Sequence, residues 1–233
     1  VGINMTNSTV PAMADHVAHT RNTLCHIDEY KNSLEFEKIE FLKGLWDGVG
    51  RSRMNMEKDK KKEMTAVDAG IMLTGQEMTT ADNALFSRVI FLSVSKSEFS
   101  EDERLRFEEL KKIENKGLTH ITNSLLTKRK TFLEKHVAAF NGAIADVTPH
   151  INRSQIEDRI LKNWCIVLAA LKIVMEAEVL PFTYEKAVRT FARMISRQNG
   201  DVVAGNEVSD FWSIYQELFS SGFIEKDFDF QIK

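Results

Sequence analysis

Two rhythms of apolar residues divide this chain near Ser100. Before it, short unbroken apolar runs alternate with helically spaced segments; after it, apolar residues recur every three or four positions almost to the end. In the first stretch, Thr9 or Ser8 caps a helix that runs to about Asn22, with Pro11 in the first turn, where its missing N–H costs nothing. Thr23 to Ile27 then reads as a buried strand that ends in Asp28-Glu29. Glu35 to Trp46 has helical spacing and stops at Gly48 and Gly50. Ala69 to Gly75 and Val89 to Val94 are apolar throughout, as strands of a parallel sheet covered on both faces are, and Thr80 to Phe86 between them fits a short helix or turn. Three such strands with helical segments between them predict part of an α/β domain over residues 1–100.

The second stretch predicts helices over Glu101 to Lys116, Thr119 to Asp146, Ser154 to Glu178, Thr183 to Gln198 and Asn206 to Ser221. Ser100-Glu-Asp-Glu103 is a capping box with acids in the first turn, and Asn199-Gly200 and Ser221-Gly222 are expected stops. Phe223 to Ile232 alternates apolar and polar residues, which gives residues 101–233 a helical domain with a winged-helix-like end. The fold class expected is therefore α/β plus α.

Composition narrows the function classes. At 43% apolar and 28% charged residues the chain is an ordinary globular one, and a net charge of −3 supplies no global basic field, so nucleic acid would have to be met by a local patch. Cys25 and Cys165 lie far apart without metal-ligand spacing. The longest apolar run, Trp164 to Met175, is interrupted by Lys172 and falls short of the roughly 20 residues that cross a bilayer. The start of the chain has no secretory pattern, and a bacterial cytoplasmic setting is expected.

Candidate chemistry begins at Leu24-Cys-His-Ile-Asp-Glu-Tyr30. An apolar strand ending in adjacent acids suits magnesium held by Asp28 and water activated by Glu29, as in P-loop ATPases, though an Asp-Glu pair also simply ends strands. Gln76, after the next strand, is placed to touch an attacking water or γ-phosphate, or is a solvated strand end. Arg88, before the third apolar run, is an arginine finger for a neighbouring subunit's nucleotide or an edge residue that snorkels. Between them Arg51, Arg53, Lys58, Lys60, Lys61 and Lys62 crowd one charged segment, diluted by Glu57, Asp59 and Glu63. It is either a DNA-contacting hairpin or a solvated loop.

In that order, HIDEYKN, EFLKGLWDGVGR, GQEM and ALFSR resemble the superfamily 3 helicases and the primase-helicase proteins of bacterial mobile elements, over roughly Ser8 to Gly117. The resemblance implies the carboxyl-terminal part of a P-loop (AAA+/RecA-like) parallel-sheet ATPase domain. Asp28 and Glu29 become its Walker B acids, Gln76 its sensor, Arg88 its arginine finger, and the charged segment its DNA hairpin. ATP and Mg2+ are the implied cofactors of a full-length parent, single-stranded or forked DNA its partner, and a homo-oligomeric ring its assembly, with no membrane role.

No Gly-x-x-x-x-Gly-Lys-Ser/Thr loop occurs in the chain, so this fragment alone is expected to hold no nucleotide tightly and to be inactive. The alternative is a non-enzymatic helical DNA-binding or protein-docking module attached to a degenerate ATPase half. It draws on Lys128, Arg129 and Lys130, and on Arg189, Arg193 and Arg197, which recur every four residues along one helical face. His16 and His19 lack a third ligand, and His26 is expected to be packed rather than catalytic.

Overall fold

The structure, a computed structural model, describes residues 2–54, 62–77, 82–94 and 100–224. It comprises two compact units, one of Val1–Val89 with Gly200–Lys233 and one of Ile90–Asn199. The α/β plus α character read from the sequence is present, as a small parallel sheet and many helices.

The first unit runs β1 (Ile3–Asn4), α1 (Val10–His19), β2 (Leu24–Tyr30), α2 (Phe36–Trp46), β3 (Val49–Met54), β4 (Lys62–Ala66), β5 (Gly70–Gly75) and α3 (Asn83–Phe86). Strands β1, β2 and β5 form one parallel sheet in that order, with β2 in the middle. Thr9 caps α1 through its hydroxyl and Pro11 occupies the first turn, as the sequence implies. Met5, Met13, Val17, Cys25, Ile27, Tyr30, Ile39, Leu42 and Leu85 close the core.

Strand β2 changes parity near its end. Side chains alternate across a strand, so the burial of Cys25 and Ile27 should continue at residue 29. Instead Glu29 adopts a left-handed backbone, φ 66°, the pairing with β5 shifts register between Ile27 and Tyr30, and Tyr30 becomes the buried residue. The extra residue works as a bulge, and it leaves two consecutive acids, Asp28 and Glu29, off the buried face. Gly75 is required opposite this point, because a Cβ there would lie 2.5 Å from the carbonyl oxygen of Tyr30.

The charged segment forms the stems of an antiparallel hairpin, β3 with β4, pairing Arg53 with Glu63 and Met54 with Lys62. Its tip, with Lys58, Lys60 and Lys61, lies outside the described residues.

The second unit contains α4 (Glu101–Lys116), α5 (Thr119–Thr127), α6 (Arg129–Val147), α7 (Asp158–Met175) and the start of α8 (Tyr184–Ser220). Helix α6 packs on α7 around Ala143, Val147, Ile160, Trp164, Leu168, Ile173, Val188 and Ile195. Ser100 caps α4 by accepting from the Glu103 N–H at 3.2 Å.

Three sequence expectations are corrected here. Val89 to Val94 is not a strand: the Phe91 N–H is taken by Gln198 Oε1 at 3.3 Å instead of by a ladder, and Val94 is 94% exposed. The single helix expected over Thr119 to Asp146 breaks at Lys128, whose ammonium reaches Glu178 Oε1 at 2.7 Å. Asn199-Gly200 does not stop α8. The Asn199 amide, which could have capped a terminus, is buried and spent elsewhere, accepting from Glu157 N at 2.9 Å and donating to Gln155 O at 2.9 Å. The expected wing falls mostly beyond Ile224, outside the described residues.

Candidate active site at the carboxyl end of the parallel sheet

The carboxyl ends of parallel strands are where open α/β sheets place their ligands, because the loops that follow diverge there. In this sheet that end gathers Asn4 and Thr6 on or after β1, Asp28 and Glu29 on β2, and Thr74, Gln76 and Glu77 on or after β5.

The loop after β1 is fastened to the acids. Met5 N donates to the carbonyl of Asp28 at 2.8 Å, and the Thr6 hydroxyl donates to the carbonyl of Glu29 at 3.2 Å. From α2, the buried Lys38 donates to the carbonyls of Met5 at 3.0 Å and Thr6 at 3.3 Å. A buried ammonium is tolerated only when its donors are used, and here they are spent holding this loop in place. On the other side, Glu77 Oε2 accepts from the Asn32 N–H at 2.7 Å and ties the loop after β5 to the loop after β2. Gln76 is thereby held at the same sheet end as the acids, exposed.

The two acids are in different states of engagement. Asp28 Oδ1 accepts from the Thr74 hydroxyl at 2.5 Å and from the Glu29 N–H at 2.9 Å. Those donors, the hydroxyl foremost, hold its carboxyl below the usual carboxylate range, with nearby His26 adding to them and desolvation opposing. Asp28 is therefore ionised at neutral pH. Its Oδ2 and the whole Glu29 carboxylate make no hydrogen bond or ion pair among the described residues. Below them burial, with Asp82 and Glu77, pushes the Tyr30 phenol up to about 12, so it stays protonated and donates to Asn32 Oδ1 at 3.3 Å.

A magnesium ion that retains waters and shares phosphate oxygens needs one or two protein carboxylates, and an ionised Asp28 with one uncommitted oxygen beside Glu29 fits that requirement. Among the described residues no three acidic, histidine or cysteine side chains are grouped to enclose a metal by themselves.

Arg88 lies on a different support. It follows α3, whose cap Asp82 accepts from Leu85 N at 2.7 Å and pairs with Lys43 of α2 at 2.9 Å. Burial pushes the Asp82 carboxyl up, and Lys43 with the Leu85 N–H more than reverse the shift. Arg88 itself donates to the carbonyl of Ala84 at 2.8 Å and lies over the Trp46 ring, 5.6 Å from its centroid. It is thus engaged within its own unit. Arg51, Arg53 and Lys62 sit on the hairpin stems rather than at the acidic sheet end.

Sequence reasoning missed Thr74 and Lys38 and read His26 as packing alone. In fact His26 Nε2 bonds Thr74 Oγ1 at 2.8 Å. A signal was present: a lone hydroxyl inside the apolar run Ile71 to Gly75, two residues before Gln76. In the helical unit, Arg189 pairs with Glu185 at 2.7 Å and Lys130 with Glu134 at 3.8 Å, whereas Arg193 and Arg197 are exposed.

No protein-family model and no curated protein matches this chain.

Proposed function

We propose that this chain supplies the acidic half of a nucleotide-hydrolysing site in a DNA-acting P-loop ATPase of the superfamily 3 helicase kind, followed by a helical unit. The observation that carries the reading is the parity change in β2, which turns two consecutive acids out at the carboxyl end of the middle strand of a parallel sheet. Left-handed backbone at a non-glycine residue costs on the order of 1 kcal/mol and persists where a site uses it.

In this reading Asp28 offers Oδ2 to magnesium bound with ATP, and that ion would neutralise charge on the transferred phosphoryl group. Glu29, with its carboxylate uncommitted, accepts the proton of the attacking water. Gln76, on the neighbouring loop, orients that water or the γ-phosphate. Arg88 serves a neighbouring subunit in a ring, where it would leave Trp46 to reach the nucleotide. The β3–β4 hairpin with Arg51, Arg53, Lys58, Lys60, Lys61 and Lys62 contacts single-stranded or forked DNA during replication of a bacterial mobile element. Turnover by this site requires a phosphate-binding loop in addition to the residues of this chain.

The test is DNA-stimulated ATP hydrolysis by a parent that includes the phosphate-binding loop, with Glu29→Gln beside it. The variant is expected to lose about 10²-fold or more in turnover while still binding nucleotide. Equal turnover in both removes Glu29 from the chemistry.

One observation favours a second reading, a helical docking module on an inactive ATPase half. Helix α4 buries none of its residues, although Leu105, Phe107, Leu110 and Ile113 all lie along it about half exposed. No stimulated hydrolysis in the parent or in the variant would shift the assignment to that reading.

A further inference from the structure

The Thr74 hydroxyl has one proton and stands between two partners. Its oxygen is 2.5 Å from Asp28 Oδ1 and 2.8 Å from His26 Nε2. The hydroxyl donates its one proton to Asp28 Oδ1. The Thr74 oxygen must then accept from His26, which fixes the imidazole proton on Nε2. Gly2 leaves room for the ring, since a Cβ there would come within 2.4 Å of Nδ1. Every donor in the series His26, Thr74, Asp28 therefore points the same way, toward the carboxylate.

Asp28 Oδ1 also takes the Glu29 N–H at 2.9 Å. Both donors engage the one oxygen, and Oδ2 makes no hydrogen bond or ion pair among the described residues.

We infer that Thr74, oriented by His26, is a positioning residue that commits Oδ1 of Asp28 and so reserves Oδ2 for a hard divalent cation. The inference deepens the reading of Asp28 as a cation-facing acid and rests on it. Without the hydroxyl, Asp28 keeps the Glu29 N–H alone and its carboxylate is free to turn. Outer residues that orient a ligand are worth about 10- to 100-fold in metal affinity.

The experiment uses Mn2+ alone as probe. It is titrated into this chain, 13C-labelled at aspartate and glutamate carboxyls, and read as paramagnetic broadening of the Asp28 and Glu29 resonances. In Thr74→Val the broadening is expected to need about tenfold more Mn2+, and Thr74→Ser is expected to match the parent chain. Spectra of 15N-labelled histidine place the His26 proton on Nε2 in the parent chain and in the Ser variant, with that preference lost in the Val variant. A tie between strands that served folding alone would leave the Mn2+ response unmoved.

An unchanged response in Thr74→Val, no broadening in the parent chain, or a parent His26 proton on Nδ1 each overturns the inference. Should Thr74→Val fail to fold, His26→Gln carries the test, with weaker Mn2+ broadening expected and an unchanged response overturning it. The motor reading fails separately: absent ATP turnover together with an intact Mn2+ response removes the motor and keeps the positioning role.

Discussion

In the sheet unit, polar side chains collect at one end of three strands, and two carboxylates there keep oxygens that nothing among the described residues engages. In the helical unit, the buried polar groups close on one another. Gln198 Oε1 accepts from Trp164 Nε1 at 2.9 Å and from Phe91 N at 3.3 Å, and Asn199 spans Gln155 and Glu157. The contrast separates two uses of polarity. Satisfied amides fix which helix meets which, at positions shielded from water. At the sheet end Asp28 Oδ1 joins the two strands, while Asp28 Oδ2 and the Glu29 carboxylate add no bond to the fold among the described residues.

The sharpest way to break the comparison is to change a group assigned to chemistry and watch stability. In the assembled parent, Arg88→Ala is expected to lower hydrolysis by about 10³-fold, as arginine fingers do, while the melting temperature moves little. Melting that collapses with activity would return Arg88 to a structural role on Trp46.

Next in size is the converse change. Gln198→Leu strands the Trp164 and Phe91 N–H groups and should cost about 2 kcal/mol in urea unfolding. A cost near zero would mean that water satisfies them and that the amide pair is not a determinant of helix packing.

Lys38→Met tests a closed polar group within the sheet unit. It deprives the Met5 and Thr6 carbonyls of their donor and is expected to cost about 1–2 kcal/mol. Amide exchange should accelerate at Met5, whose N–H meets Asp28. Unaltered exchange there would uncouple Lys38 from the acids.

The smallest effect concerns Asp146, which accepts from Lys172 at 2.8 Å and Tyr184 at 2.9 Å. Lys172 foremost, and Tyr184, hold its carboxyl below the usual range against the opposing push of burial. A folded-state pKa below the unfolded value gives stability that is present above the unfolded pKa and is lost as pH falls through the folded one. About a third exposed, the pair is worth about 0.5 kcal/mol. Asp146→Asn should therefore trail the parent chain by that amount at neutral pH, with the gap closing below about pH 4. A gap that widens in acid would reverse the assigned sign.

How far the sequence could be read depended on which interactions decide each element. Strands β2 and β5 and helices α1, α2 and α4 were legible because their caps and apolar spacing are local, as Thr9, Pro11 and Ser100 illustrate. The run Val89 to Val94 was not, because a strand needs a ladder partner and apolar composition cannot supply one. Asn199-Gly200 carried a stop signal that tertiary hydrogen bonds overrode. At the candidate site the residue types Asp28, Glu29 and Gln76 could be picked from their places at strand ends. The Thr74 bridge could not, since it depends on the register that sets β5 beside β2. Nor could the turn at Glu29, as glutamate carries no preference for a left-handed backbone.

That turn has a consequence for how position 29 tolerates change. Asparagine and glycine accept a left-handed backbone more readily than glutamate does. A library randomised at this position and screened only for expression should drift toward those two residues, while one built in the full-length parent and screened for turnover should return glutamate. Disagreement between the two enrichments would mark position 29 as a place where this chain trades folding yield for work.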